Sequence, residues 1–115
     1  MYIKLISKLK KDYNATAIFE DGKVTVLAGS KLSNIISTGL PQKGIILKMR
    51  NDDSLIKNDI LIKDCIFNSL STAAQFVTGT ITNGKLRWCV EDGRTLKKYF
   101  DDKNHKQMES SIWHD

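Results

Sequence analysis

The chain has 115 residues, 41% of them hydrophobic and 27% charged, with 18 Lys plus Arg against 13 Asp plus Glu for a net charge of +5. That length accommodates one domain, the composition excludes a disordered chain, and the charge favours an acidic partner, nucleic acid first. No apolar run approaches the ~20 residues of a membrane-crossing helix. Lys4, Lys8, Lys10 and Lys11 interrupt the opening segment and exclude a secretory leader, so a cytoplasmic location is expected.

Tyr2 to Leu9 carries two periodicities at once: Ile3, Ile6 and Leu9 at helical spacing, Ile3 and Leu5 in alternation, so a strand or a short helix fits. Ala15–Glu20 and Lys23–Ala28 read as strands joined by the two-residue turn Asp21-Gly22. Gly29-Ser30 ends the second, and Lys31 to Thr38 is a loop or short helix anchored by Ile35 and Ile36. After Gly39-Leu40-Pro41, the spacing of Ile45, Ile46, Met49, Leu55 and Ile56 predicts helix over Gln42–Asn58. That helix is expected to break at Asn51–Ser54, with Asp53 capping a second piece. Ile60 to Ile66 is a short β-branched run.

From Phe67 to Trp88 the signals are sharpest. Ser69 is a helix cap; Leu70, Ala73, Ala74 and Val77 form one helical face; Gly79 is a left-handed stop. Asn83-Gly84 predicts a hairpin turn into a strand with Leu86, Trp88 and Val90 on one face and Lys85 and Arg87 on the other. Asp92-Gly93 is a further turn, Thr95 to Phe100 a strand or final helical turn, and Asp101–Asp115 a polar, loose tail. The sum is an α+β domain over residues 1–100: an antiparallel sheet of four or five strands with two or three helices on one face.

The pattern F-x-S-x-S-x-A-A at Phe67–Ala74, then Gly79, Asn83-Gly84, Trp88 and D-G-x-x-L at Asp92–Leu96, resembles a bacterial family of domains of unknown function. Asp21–Ser33, DGKVTVLAGSKLS, resembles that family's earlier signature, so the likeness runs from Asn14 to Leu96. The family is found C-terminal to GIY-YIG nucleases and on restriction-modification proteins, and is similar to the RAMA domain of restriction enzymes and adenine methylases. The resemblance implies the attachment without the nuclease, whose tyrosine and arginine signature is absent here.

Catalytic readings find little support. His105 and His114 lie in the tail, far from any poised Ser or Cys. The adjacent pairs Asp52-Asp53 and Asp101-Asp102 point apart, and no glycine-rich phosphate loop occurs. Cys65 and Cys89 are isolated, without zinc-ligand spacing; reduced, mostly buried thiols are expected, and no metal or cofactor.

Binding chemistry is better represented. The helix start at Ser69, with Ser71 and Thr72, offers N–H groups and hydroxyls to a phosphate, although a plain cap accounts for Ser69. Asn83 suits an adenine edge as well as a turn. Trp88 can stack on a base, but on an alternating strand it more often fills a core. Lys85, Arg87, Arg94, Lys97 and Lys98, with Lys31 on the Gly-Ser loop, suit one phosphate-tracking surface as well as an ordinary solvated face; the family resemblance favours the former, with Ser69, Ser71 and Asn83 orienting the contact. DNA is the expected partner, and the RAMA resemblance implies a version that reads N6-methyladenine. The alternative is a protein-docking domain using Trp113 and the tail.

Overall fold

Alternation along the first strands decides the layout. Ile3 and Leu5, Ala15 and Ala17, Val24 and Val26, and Cys65 and Phe67 all point to one buried face. The computed structural model describes residues 1–7, 12–41 and 43–113, with side chains described through Asn104. The expectations for Lys8, Leu9, Lys10, Lys11, Gln42, His114 and Asp115, and for the side chains of His105, Met108, Ile112 and Trp113, lie outside those residues.

Strands β1 (Tyr2–Ile6), β2 (Asn14–Glu20), β3 (Lys23–Val26) and β6 (Cys65–Phe67) form a four-stranded sheet in the order β1-β2-β3-β6, every pair antiparallel. The Asp21-Gly22 turn holds φ of 52° and 75°, both left-handed, and sets the register Glu20↔Lys23. β4 (Ile56–Lys57) and β5 (Ile60–Leu61) make a separate two-stranded sheet. Among the described residues the helices are α1 (Lys43–Arg50), α2 (Leu70–Thr78), α3 (Gly84–Arg87) and α4 (Leu96–Trp113). The architecture is α+β, as expected.

α2 lies over β3 and β6 and, with Trp88 and Leu96, completes one core with the inward strand residues. Phe76 stacks tilted on Phe67, ring centroids 5.0 Å apart. The opposite sheet face is open, and the strand register places Tyr2, Ile18, Thr25 and Ile66 in one row across all four strands. Tyr2 and Ile66 are 64% and 67% exposed.

Three expectations are corrected. The predicted Gln42–Asn58 helix stops at Arg50, at the expected break, but its second piece is absent and the chain turns into β4. Asn58 and Asp59 both adopt positive φ, 53° and 63°, and close a tight β4–β5 hairpin that no helix passes through. Ile45 is consequently exposed while Ile46 is buried, and Asp52, rather than Asp53, organises the break by accepting from Ser54 N and Oγ. These bonds hold the Asp52 carboxyl below its ordinary value. In the Lys31–Thr38 loop the buried anchor is Leu32; Ile35 is exposed. Of the two readings of Thr95–Phe100 the helical one holds, since Leu96 opens α4, which runs to Trp113.

Candidate nucleic-acid interface

The site begins with α2. Ser69 Oγ accepts from Thr72 N at 3.1 Å, and Gly79, at φ 72°, closes the far end by donating to Gln75 O. Ser71 Oγ accepts from Gly84 N at 3.0 Å, and Trp88 Nε1 donates to Leu70 O at 3.0 Å. The two serines thus serve the helix and its neighbour: Ser69 satisfies an orphan N–H of α2, and Ser71 one of α3.

The expected hairpin at Asn83-Gly84 is absent. Asn83 Oδ1 accepts from Lys85 N at 3.1 Å and caps the one-turn helix α3. Asn is favoured both in tight turns and at helix starts, so the dipeptide fits either outcome. Gly84 does not adopt positive φ; it is needed because a Cβ there would lie 2.3 Å from the Leu70 carbonyl carbon. The expected strand is correspondingly absent. Trp88 is fully buried but follows the helix, and Leu86 is 48% exposed rather than inward. Lys85 and Arg87, two apart on a helix, are rotated by about 200° rather than sharing a face. Arg87 donates to Tyr13 Oη and stands 6.0 Å from the Tyr13 ring centroid, while Lys85 points towards α4.

Arg94 and the first cations of α4 are paired. Arg94 bridges Asp92 at 2.8 Å and Asp102 at 3.0 Å and stands 5.3 Å from the Tyr99 ring centroid. Lys97 pairs with Asp101 and Lys98 with Asp102, each at 2.9 Å and one helical turn apart. Hydrogen bonds from Arg94 hold the Asp92 carboxyl below its ordinary value; those from Lys98 and then Arg94 do the same at Asp102, and the two carboxylates raise Arg94. Lys85 has no ion-pair partner among the described residues.

Between α3 and α4 lies an open groove of about 340 Å³ lined by Asn83, Lys85, Leu86, Lys97, Phe100, Asp101 and Asn104. Three expected residues, Asn83, Lys85 and Lys97, meet there. Lys31 does not join them: its backbone pairs with Asn14, bridging towards Ile60, and its side chain lines a different concavity with Thr16 and Ser30. Ser69, Ser71, Arg87, Arg94 and Lys98 also lie outside the groove lining.

Sequence reasoning missed Arg50. Its guanidinium donates to the carbonyls of Phe76 at 2.9 Å, Val77 at 3.3 Å and Ser33, and sits over the Phe76 ring. α2 has no basic residue in its own last turn, so Arg50 supplies a cation to its C-terminus from α1. Burial draws this guanidinium down to about 10, partly opposed by Asp59, which leaves it charged at neutral pH. The only sequence signal was a basic residue at the end of an amphipathic segment. Gln75 was missed too: it is 7% exposed and its Oε1 has no hydrogen-bond partner among the described residues. Both cysteines are free, and burial raises the Cys65 thiol. Among the described residues no cluster of three His, Cys, Asp or Glu forms a metal-binding arrangement, and no helix is long and apolar enough to cross a membrane.

Fold and groove define a small α+β domain with one covered and one open sheet face and a mixed polar cleft between its last two helices. The chain belongs to the domain of unknown function family DUF4357, which matches residues 5–100. No curated protein and no solved structure matches it.

Proposed function

We propose that this domain is a non-catalytic DNA-binding accessory module of the type attached to restriction-modification and nuclease proteins, and that it meets DNA through the α3–α4 groove. The observation that carries the reading is the convergence of Asn83, Lys85 and Lys97 on one cleft, with Lys85 making no ion pair among the described residues. The Lys97–Asp101 pair is exposed on both sides, and such pairs are weak in water, so a phosphate competes for the ammonium readily. Asn83 spends its oxygen on the α3 cap, which leaves its amide N–H groups as donors towards the groove. The sequence resemblance to RAMA domains extends the reading to N6-methyladenine as the mark recognised.

The test is a fluorescence anisotropy titration of duplex DNA, with and without N6-methyladenine, over a salt series. Two or three phosphate contacts give a log–log slope of about −2 to −3, and K85A/K97A removes most of the binding. A preference for the methylated duplex supports the sensing version. No binding at low salt, to the duplex or to either of its strands alone, overturns the DNA reading. In that case the row Tyr2–Ile18–Thr25–Ile66 on the open sheet face favours a protein-docking domain, whose association is less sensitive to salt.

A further inference from the structure

We infer that the α3–α4 groove takes an unpaired nucleotide, so that the domain favours single-stranded or mismatched DNA over an intact duplex. This rests on the DNA reading above but on a different observation, the apolar floor between the lysines. Leu86 stands half-exposed among polar neighbours on a helix of one turn, and the partly exposed Phe100 lines the same cleft. Phe100 is held edge-on by Phe19 at 6.3 Å and Tyr99 at 5.5 Å, so its orientation is set before any ligand arrives.

An intact duplex has little to offer such a floor. Its outer surface is phosphate and sugar, its grooves present base edges, and the faces of its bases are stacked on one another. An unpaired base has a free π-face and polar edges together. Placed in the cleft, it meets Leu86 and Phe100 with its face and the amides of Asn83 and Asn104 with its edge, while its phosphate reaches Lys85 and Lys97. Asp101 at the same wall is an acceptor for an exocyclic amino group. The cleft volume of about 340 Å³ lies within the usual range of small-ligand sites. A paired base must first leave its stack at a cost, which a single strand or a mismatch has already met.

The experiment compares one labelled 20-mer as intact duplex, as the same duplex with a central mismatch, and as a single strand, at one salt concentration with the full chain. The expected result is single-strand and mismatch affinities roughly tenfold or more above the duplex, the scale of one stacked base. Leu86→Ser brings that ratio close to one. Phe100→Leu does the same; because Phe100 also touches the core, its fold is checked by circular dichroism. Ile66→Ser, on the open sheet face, keeps the wild-type ratio. Equal affinity for all three ligands, or a ratio that survives L86S, overturns the inference while the DNA reading stands. Absence of binding to every ligand overturns both.

Discussion

Replacing Gly84 with alanine separates two reasons for a glycine at that position. A tight hairpin would need its positive φ; the structure instead needs its missing side chain. A Cβ at residue 84 would lie 2.3 Å from the Leu70 carbonyl carbon, and 2.5 Å from both its oxygen and its Cβ. The closest atoms are backbone, so no rotamer change relieves the contact and α3 must move off α2. Overpacking of this kind costs up to about 3 kcal/mol. The shift also loosens the bonds Gly84 N to Ser71 Oγ and Trp88 Nε1 to Leu70 O, each worth about 1 kcal/mol. Alanine in a helix returns about 1 kcal/mol. The net expectation is a loss of about 3–4 kcal/mol, or a Tm lower by at least ~10 °C. Gly44→Ala is the matched control, since a Cβ in α1 meets nothing within 4 Å, and it should gain up to about 1 kcal/mol. Urea denaturation followed by far-ultraviolet circular dichroism measures both. If G84A and G44A shift stability in the same direction, the close packing of α3 on α2 is refuted.

Arg50→Ala takes a donor from three carbonyls, of which Val77 O still accepts from Ser33 N, and should cost about 2–4 kcal/mol by urea titration, with Arg50→Lys recovering only part because an ammonium lacks the planar fork. Gln75→Leu removes a buried unpaired oxygen and should leave stability equal or raise it by about 1 kcal/mol; a large loss in Tm would show that the amide has a partner. Asp92 and Asp102 have folded-state pKa values below their unfolded ones, so their stabilising contribution is complete above about pH 4 and fades as the pH falls through the folded values. A Tm series from pH 6 to 2 should therefore show a smaller acid loss in D92N/D102N than in wild type, and parallel curves would contradict the clasp.

Much of the fold is legible in the residues because the relevant signals are local. Asp21-Gly22 between two β-branched runs leaves little choice but a hairpin, and Ser69 with Gly79 bracket α2 within one residue of its ends. The errors have a common origin in residues whose preferences serve two structures. Asn58-Asp59 makes the tight left-handed turn while Asn83-Gly84 caps a helix, and Asn and Asp suit either use. Tertiary contact decides both: Gly84 is drawn against Leu70, and β5 is held through Leu61 N to Ser30 O and Gly29 N to Leu61 O. Arg50 acts through carbonyls 17 to 27 residues away, which no local pattern encodes.

The candidate site shows the same limit in electrostatics. Five cations between Lys85 and Lys98 read as one basic surface when positions are counted, because a count assigns every charge to solvent. The fold gives Arg94, Lys97 and Lys98 carboxylates at 2.8–3.0 Å and turns Arg87 onto Tyr13. If all five cations still tracked phosphates, binding would fall with salt at a slope of about −4.5; the paired arrangement lowers the expectation to about −2 to −3. A shallow slope with binding lost in K85A/K97A is therefore the signature of a cleft rather than a charged face. It also assigns the remaining affinity to contacts that salt does not screen, which in this groove are the amides of Asn83 and Asn104 and the apolar floor of Leu86 and Phe100.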